Sequence, residues 1–467
     1  MSKPDRLGPV LCVDVGSTFT KAVLVDVATG AVLAGGSVPT TSSTDVLDGV
    51  ARVRDQVGGR SADRTPSTVL VCSSAGGGLR LAVVGYESLV TAEAGRRVAL
   101  SAGGTVVHVH SGPLDAAGLT GLTRSRPDVV LLVGGTDGGN AEVLVHNASR
   151  LGSARVGRQV PVVLAGNAAA ADAARAALGT RPVEVAPNVL PRIGDLAPEG
   201  ARAAIRDLFL RHVIGGKGLS RGRLDGLRFR DLVRAPTPDA VLDGVKVLAE
   251  LVGEVLVVDV GGATTDVYST IDPEEGDHPR REVVAALRHA RTVEGDLGMR
   301  WGAPGIIRAA RAEQLLGQGP VGADGSSRAD GAAGPGEEVL TAHADRLAAE
   351  PALVPTGPGE WALEERLAAL AVRVAVRRHA RPAAPGQGGR PLRGVRLVVG
   401  SGGVLRHGSP ALRRAVLEPV LADHAGGWPV PREARLAVDE GSVLFAAGLL
   451  ARSHPQAARA LVDQAFG

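Results

Sequence analysis

The segment that most limits what this chain can fold into is residues 255–268, VLVVDVGGATTDVY. An apolar run ends at Asp259, two glycines follow, and a second apolar run begins after Asp266. The pattern predicts two strands joined by a glycine bend, where backbone N–H groups approach an anionic oxygen closely because glycine has no Cβ. The carboxylates beside the bend would repel a phosphate unless a divalent cation lay between them. The segment therefore predicts either a Mg²⁺–phosphate loop or an ordinary glycine bend in a sheet.

A second copy of this layout lies about 245 residues earlier, in residues 10–25, VLCVDVGSTFTKAVLV. Here an apolar run again leads into Asp-x-Gly, small hydroxyl residues form the bend, and a second apolar run closes the hairpin. Two hairpins of one design favour the phosphate-loop interpretation, because a chance glycine bend need not recur. The residues that we expect to face phosphate are Gly16, Ser17, Thr18, Lys21, Gly261, Gly262, Thr264 and Thr265.

Lys21 closes the first hairpin and is one of only four lysines among the 52 basic residues of the chain. A compact ammonium group suits a crowded phosphate site. We therefore expect Lys21 to neutralise phosphate charge, and a solvent-exposed surface lysine is the alternative.

The two hairpins resemble the phosphate loops of the actin, Hsp70 and sugar-kinase superfamily, in which two related lobes each offer one hairpin to the ATP phosphates. The second hairpin is similar to the Hsp70 form, because a second acid, Asp266, follows Asp259 by seven residues. The resemblance implies an α/β fold of the two-lobed, ribonuclease H-like ATPase type.

Three further segments are similar to elements of that superfamily. Residues 395–404, VRLVVGSGGV, resemble its adenosine motif, and residues 438–451 resemble its closing helix, where Gly448 would permit close helix packing. Residues 292–302, TVEGDLGMRWG, resemble the turn and helix start that Hsp70-like proteins place beside the nucleotide, where a helix N-terminus suits an anion. The nucleotide contacts that these resemblances imply are Gly298, Gly400, Gly402 and Gly403.

Between the hairpins, short apolar runs alternate with alanine-rich segments such as 167–178, which predicts an α/β region with a mostly parallel sheet. Residues 361–380 have helical apolar periodicity and predict a core-facing helix. The middle region exceeds a minimal lobe, so we expect a large α/β insertion. The predicted domains are a first lobe at 8–87, an inserted or elaborated domain at 88–245, a second lobe at 250–435 with a flexible glycine-rich loop at 316–337, and a closing segment at 436–467.

Two strand ends inside the middle region finish in glycine and asparagine: 130–140, VLLVGGTDGGN, and 162–170, VVLAGNAAA. Ligands bind at the carboxyl ends of strands in open α/β sheets. The two loops predict either one crevice for a ligand or partner, or simple strand–helix turns.

The composition argues against several classes of protein. Apolar residues make up 44% of the chain, which is typical of a globular protein, and the net charge of +3 comes without a basic run interleaved with aromatics, so nucleic-acid binding is not expected. No apolar run reaches the roughly 18 residues of a membrane helix, and the N-terminus lacks the apolar core of a signal peptide. Cys12 and Cys72 lie in apolar runs, which predicts buried thiols. We expect a cytoplasmic protein without membrane segments.

Together, VDVGSTFTKAVLVD, LVGGTDGGN, AGN, VVDVGGATTDVYS, TVEGDLGMRWG and VVGSGGV resemble the MutL (GlmL) family of glutamate mutase-associated proteins. This family shares only a name with the MutL of mismatch repair. The resemblance implies a protein that binds ATP and Mg²⁺ and associates with an adenosylcobalamin-dependent mutase or aminomutase. The implied role is chaperone-like: ATP-driven support or reactivation of the mutase, in which damaged cobalamin is exchanged.

For this activity, Asp14 and Asp259 would hold Mg²⁺, mostly through water molecules. Lys21 would neutralise developing charge, and Asp266 or Asp14 would orient the attacking water. Positioning and electrostatic stabilisation carry most of phosphoryl transfer, so no covalent role is assigned to any side chain.

Three alternatives remain open. A small-molecule kinase of the same superfamily would need a catalytic Asp base and a polar substrate pocket, which the motifs do not reveal. An ATP-coupled hydrolase of the hydantoinase or oxoprolinase type has a similar second hairpin, but such chains are usually longer and carry extra metal-site histidines. A scaffold that binds nucleotide only for stability would not depend on Asp14 or Asp259.

Overall fold

The structure is a computed structural model. It describes residues 8–42, 44–58, 65–75, 79–87, 90–154, 157, 159–214, 218–272, 287–316, 336–382, 389–424 and 426–467. The glycine-rich loop predicted at 316–337 lies, apart from its ends, outside these residues. The chain forms two compact units: the first comprises Met1–Gly244, Pro279–Ala290 and Phe445–Leu461, and the second comprises Val245–His278, Arg291–Leu444 and Val462–Gly467.

The described residues form strands β1 (Val10–Val15), β2 (Phe19–Val25), β3 (Val32–Pro39), β4 (Thr68–Ser73), β5 (Leu79–Gly85), β6 (Gly104–Ser111), β7 (Val129–Leu132), β8 (Val162–Leu164), β9 (Val183–Val185), β10 (Val233–Pro236), β11 (Val255–Val260), β12 (Thr265–Thr270), β13 (His289–Glu294), β14 (Leu397–Ser401) and β15 (Arg435–Val438). The α-helices are Val46–Gly58, Thr91–Ser101, Ala116–Ser125, Glu142–Ser153, Ala171–Leu178, Glu199–Leu208, Phe229–Leu232, Thr237–Val252, Ala303–Ala312, Glu337–Ala349, Pro358–Ala380, Gly403–His407, Pro410–Leu421, Val443–Leu450 and Pro455–Phe466.

One five-stranded sheet occurs twice. The first unit contains the order β10-β4-β1-β2-β3, and the other copy has the order β13-β12-β11-β14-β15. In each sheet the first strand of a hairpin lies at the centre, antiparallel to its hairpin partner and parallel to the strand on its other side. This duplication confirms the predicted α/β fold with two related lobes.

A third sheet lies within the first unit, between β4 and β10 along the chain. Its order is β6-β5-β7-β8-β9, and all four of its pairings are parallel, as predicted for the middle region. Parallel strands are covered on both faces, which explains why β7 reads as four consecutive buried apolar residues. The sheet starts at Leu79, ahead of the bound of 88 expected for the insertion, because β5 pairs with β6 and β7.

The core of the second unit surrounds the helix Pro358–Ala380, which confirms the helix predicted at 361–380. Leu367, Leu370 and Val374 are buried there at helical spacing. Burying each such side chain stabilises the fold by about 2 kcal/mol. With aromatics at only 2% of the chain, this core is built from aliphatic side chains.

The helix Val443–Leu450 packs against the start of the helix Thr237–Val252. A Cβ on Gly448 would overlap the carbonyl oxygen of Ala240, so the predicted close packing at Gly448 is confirmed. The buried thiol of Cys12 donates a hydrogen bond of 3.8 Å to the carbonyl of Ala446. Among the described helices, none combines the length and the apolar character needed to cross a lipid bilayer.

His379 is buried in the second unit as a neutral imidazole. Its Nε2 lies 2.7 Å from the Ser269 hydroxyl oxygen, and its Nδ1 lies 2.9 Å from the Thr292 hydroxyl oxygen. Arg390 donates to Ser269 at 2.5 Å and uses one of the two lone pairs of the hydroxyl oxygen, so Ser269 and Thr292 can satisfy the neutral ring in either tautomer. Burial, and secondarily the charge of Arg390, hold the pKa of His379 well below its usual value of 6.5.

This burial predicts a pH-dependent stability. Below pH 6.5 the unfolded chain takes up a proton at His379 that the folded state refuses, so stability is full above pH 6.5 and falls as the pH drops towards the lowered folded pKa. We expect the free energy of unfolding to fall by about 1.4 kcal/mol per pH unit from this group. Urea unfolding from pH 8 to 5.5, followed by tryptophan fluorescence, measures it. In a His379→Gln variant, the free energy of unfolding should depend less steeply on pH by this amount. The same pH dependence in the variant and in the wild type would contradict the prediction.

Candidate functional site

The two Asp-x-Gly hairpins have the same register and the same bend. In the first, Asp14 pairs across the ladder with Lys21; in the second, Asp259 pairs with Asp266. The Gly16 N–H donates to the carbonyl of Phe19 at 3.1 Å, and the equivalent bond in the second hairpin, from Gly261 to Thr264, is 2.9 Å. The recurrence predicted from the sequence is therefore a recurrence of backbone geometry. Each bend places a carboxylate at its base and, opposite it, a lysine in one copy and an acid in the other.

Asp14 is only 4% exposed, and Thr237, Cys72 and Lys21 of the first unit are among its neighbours. Thr237, the first residue of its helix, donates to Oδ1 at 2.6 Å, and the Cys72 thiol lies 3.7 Å from the same oxygen. Lys21 Nζ lies 3.8 Å from Oδ2, with 27% of its side chain exposed. Burial and the negative charge of Asp14 raise the pKa of Cys72, so this thiol stays protonated and acts as a donor.

Asp259 is partly exposed at the base of the second hairpin, and its carboxylate makes no hydrogen bond or ion pair with another residue that the structure describes. Asp266, opposite it, accepts from Arg291 at 3.0 and 2.6 Å on Oδ1 and from Thr264 at 2.8 Å on Oδ2. Burial raises the pKa of Asp266; Arg291 opposes this shift, and the charge of Asp259 adds to it. The second hairpin thus has one acid that is already paired and one that is not.

The predicted turn at 292–302 is bound to the bend of the second hairpin. Met299 and Arg300 donate their N–H groups to the carbonyls of Gly261 and Gly262, at 2.9 and 2.8 Å. From the other side, the Thr265 hydroxyl donates to the carbonyl of Leu297 at 2.7 Å. The helix Ala303–Ala312 begins directly after this turn, as predicted. The turn therefore fixes the backbone of the bend that is expected to face phosphate.

Gly298 lies at the closest point of this contact, where a Cβ would overlap the carbonyl group of Ala263. We expect Gly298→Ala to push the bend out of place and to weaken ATP binding by about fivefold to a hundredfold, since overpacking costs about 1–3 kcal/mol and each 1.4 kcal/mol is tenfold. Gly295 in the same turn has no atom within 4 Å of its Cβ position, so Gly295→Ala is the matched control. Titration with a fluorescent ATP analogue measures both, and equal affinities would contradict the prediction.

The predicted adenosine motif lies beside the second hairpin. β14 runs parallel to β11, with Gly400 opposite Val258 and Ser401 opposite Asp259. Gly402 follows at a φ of 109°, and the helix Gly403–His407 starts next to it. Apart from the adjoining residues of the chain, no atom of the described residues lies within 4 Å of a Cβ built on Gly403, so this strand end is open there.

Asp439 lies at the end of the neighbouring strand β15 and was missed by the sequence interpretation. Its carboxylate accepts the N–H groups of Val443 and Leu444 at 2.6 and 3.2 Å and so caps the closing helix. Burial raises the pKa of Asp439, and the charge of Asp259 acts in the same direction. An acid four residues before an apolar helix is a helix-start signal, but its closeness to Asp259 could not be read from the pattern.

Thr237 and Arg291 were also missed. Thr237 opens a Thr-Pro-Asp sequence, which indicates a helix start and gives no sign of Asp14. Arg291 is one of many arginines in the chain. Thr237 contacts Asp14, and Arg291 contacts Asp266, because the fold brings distant segments together. The spacing in the sequence indicates neither contact.

The two predicted middle loops meet in the first unit. The Asn167 side chain accepts from the Gly138 N–H and donates to the Gly139 carbonyl, both at 3.0 Å. Asp137 accepts from the Ala168 N–H at 2.9 Å and from the Asn188 amide at 2.8 Å. These polar groups form hydrogen bonds with one another. They therefore join the two strand-end loops at one edge of the third sheet. A ligand or partner at this edge stays a prediction.

Solved structures with similar folds are of low identity to this chain. It is similar to acetone carboxylase in a nucleotide-free structure, with a TM-score of 0.38 and 16% identity, over 95% of this chain and 70% of that one. It is also similar to component A of the (R)-2-hydroxyglutaryl-CoA dehydratase of Acidaminococcus fermentans, with a TM-score of 0.33 and 10% identity, over 97% and 99% of the two chains.

The sequence comparison gives a much stronger match than the comparison with these solved structures. The chain is 32% identical over 481 residues to Protein MutL of Clostridium tetanomorphum, which covers 96% of this chain and 97% of that protein. The family model described as MutL protein matches residues 10–466. The predicted family resemblance is thereby confirmed: the chain belongs to the MutL protein family.

Proposed function

We propose that this protein binds ATP with Mg²⁺ through its Asp-x-Gly hairpins, hydrolyses it, and uses the cycle to support or reactivate an adenosylcobalamin-dependent mutase of the glutamate mutase or aminomutase class. The observation that carries the ATP part is the duplicated hairpin, with one register, one bend hydrogen bond and a carboxylate at each base. The mutase part rests on what membership of the MutL family implies.

The donor chemistry suits Mg²⁺. This ion prefers oxygen ligands and usually keeps several waters while using one or two carboxylates. Asp259 is partly exposed and unpaired within the described part of the chain, and it lies near the charges of Asp266 and Asp439. A cation beside Asp259 would relieve this repulsion. Asp14 is the carboxylate of the first hairpin that would bind Mg²⁺, and bound Mg²⁺ would supply charge neutralisation for the phosphates.

The remaining roles follow from side-chain type and position. The backbone N–H groups of 16–18 and 261–265 would cradle phosphate oxygens, and the partly exposed ammonium of Lys21 would neutralise developing charge. Asp266, held in orientation by Arg291, or Asp14 would orient the attacking water. The ribose and base would lie against the glycines of the strand end, with the contacts Gly298, Gly400, Gly402 and Gly403.

The test of the whole proposal is reactivation. A mutase from the same genome, inactivated by turnover, should recover activity on addition of this protein, ATP, Mg²⁺ and fresh adenosylcobalamin, and not when ADP replaces ATP. Absence of recovery with every adenosylcobalamin enzyme of that genome would contradict the proposed partner. ATP hydrolysis by this protein is measured in a separate experiment. If no mutase is reactivated, the proposed ATP hydrolysis is therefore still tested.

The same assay separates the alternative functions. A new phosphorylated small molecule would identify a kinase, and ring opening of an added lactam or hydantoin would identify a coupled hydrolase. Recovery of the mutase that persists in Asp14→Ala and Asp259→Ala variants would identify a scaffold that uses nucleotide only for stability.

A further inference from the structure

An arginine-rich hairpin lies in the first unit, outside the Asp-x-Gly hairpins. Residues 221–230 read RGRLDGLRFR. Leu224 and Leu227 exchange both backbone hydrogen bonds at 2.9 Å, and between them Asp225 and Gly226 have φ values of 50° and 81°. An Asp-Gly pair with two positive φ angles is the signature of a tight two-residue hairpin. We call residues 220–230 the arginine hairpin.

The hairpin places like charges next to each other. Arg223 and Arg228 flank the Leu224–Leu227 pair and so lie across from one another. Like charges in such positions destabilise a hairpin. Arg221 lies two residues before Arg223, and alternation along an extended chain directs both to one side. An arrangement that concentrates positive charge at a cost in stability is typical of an anion site.

These side chains line a cavity of about 230 Å³. Among the residues that the structure describes, its lining contains four arginines and no Asp or Glu, and the buried apolar side chains of Ile214 and Phe229 also contribute to it. The arginines are Arg221, Arg223, Arg228 and Arg230. Asp231, which is not among these lining residues, pairs with Arg230 at 3.6 Å, whereas the guanidinium groups of the other three arginines have no acid partner in the described part of the chain.

Two further acids near the cavity are already engaged. Asp225, which is not among the described lining residues, pairs with Arg54 at 2.7 Å. Asp45 accepts the backbone N–H groups of Arg221 and Gly222, at 2.9 and 3.0 Å, and holds the loop in place. The guanidinium of Arg221 has no hydrogen bond or ion pair within the part of the chain that the structure describes. The Arg223 guanidinium uses one donor on the carbonyl of Gly226, at 2.6 Å. Its other donors and those of Arg221 and Arg228 are left for a ligand.

We propose that this cavity binds a phosphate group: inorganic phosphate, pyrophosphate or the phosphate of a small ester. Guanidinium forks match phosphate oxygens with paired, charge-assisted hydrogen bonds. The volume is below the roughly 300–1,000 Å³ of typical ligand pockets, which suits one phosphate with few further atoms and excludes a polymer. No lining residue belongs to either Asp-x-Gly hairpin, so this is a second anion site beyond the proposed ATPase function.

The proposal is tested by measuring pyrophosphate binding to the full chain. The measurement uses calorimetry, without Mg²⁺ and with saturating ADP. We expect saturable binding that weakens at least about tenfold in Arg221→Gln and in Arg223→Gln, since each charged hydrogen bond contributes on the order of a tenfold factor. Arg223→Lys keeps the charge but not the fork and should also weaken binding. The control is Arg52→Gln, an exposed arginine on the helix Val46–Gly58, which removes the same charge and should change affinity less than twofold.

The variants should keep the ATP hydrolysis rate and the thermal midpoint of the wild type, which shows that folding is intact. The proposal is overturned if the wild type binds neither phosphate, pyrophosphate nor a phosphate ester, or if Arg52→Gln weakens binding as much as Arg221→Gln. It is also overturned if a hexaglutamate peptide binds through the same arginines more tightly than pyrophosphate, because the site would then recognise an acidic protein segment. Phosphate, pyrophosphate and glycerol phosphate in separate titrations distinguish the free ion from an ester.

Discussion

Asp259→Asn is expected to lower the rate of ATP hydrolysis by about a hundredfold or more. The substitution keeps the shape of the side chain and removes the one carboxylate of the second hairpin that no other described residue pairs. A metal ion contributes several kcal/mol to charge stabilisation in phosphoryl transfer, and each 1.4 kcal/mol is a tenfold change in rate. The loss should be partly recovered at high Mg²⁺ concentration, because the defect is in holding the ion. Steady-state release of inorganic phosphate, measured against Mg²⁺ concentration, gives both quantities.

The matched control for Asp259 is Asp345→Asn, which removes a carboxylate from an exposed position on the helix Glu337–Ala349 of the same unit. This control should hydrolyse ATP at the wild-type rate. Equal rates for wild type, control and Asp259→Asn would contradict a metal-binding role for Asp259. They would leave the fold and the family membership unaffected.

Gly402→Ala is expected to lower the free energy of unfolding of the second unit by about 3 kcal/mol. Gly402 has a φ of 109°, a conformation that costs a residue with a Cβ about 1–3 kcal/mol. Its Cβ would also overlap the carbonyl oxygen of Val260, the last residue of β11. Because Val260 leads directly into the bend at Gly261, ATP binding should weaken together with stability. Urea unfolding followed by tryptophan fluorescence is suitable, since Trp301, Trp361 and Trp428 all belong to the second unit.

Gly403→Ala is the control for this prediction, one residue further along the chain. Its Cβ position has no atom within 4 Å, and it begins a helix, where Ala is favoured over Gly by up to about 1 kcal/mol. The control should be as stable as the wild type or slightly more stable. If both variants unfold at the same urea concentration, the close approach of Gly402 to β11 is not a feature of the protein in solution.

The strands and bends of this protein were predictable because their signals are local. The apolar runs at β5 to β9 and the helical spacing of Leu367 and Leu370 report burial through a short period in the sequence. The duplicated hairpin was predictable for a second reason. It occurs twice in the sequence, and a chance glycine bend need not recur. Its register and its bend hydrogen bond were found only in the structure.

The polar partners were not predictable in the same way. Thr237 reaches Asp14 from the start of a helix that follows the whole third sheet, and Arg291 reaches Asp266 from β13. A hydroxyl or a guanidinium is compatible with many neighbours, so its type does not select a carboxylate. The arginine hairpin is a similar case, since its charges are visible in the sequence but the cavity that they line is not.

The sequence by itself therefore determined the two glycine hairpins, the alternation of strands and helices, and the family. Tertiary structure alone decided which acids are paired. Asp266 is neutralised by Arg291, and Asp259, seven residues earlier on the adjoining strand, is not paired by any residue that the structure describes. The physical reason is range: backbone conformation and apolar burial are specified by neighbouring residues, whereas an ion pair depends on which distant segments the fold brings within a few ångströms.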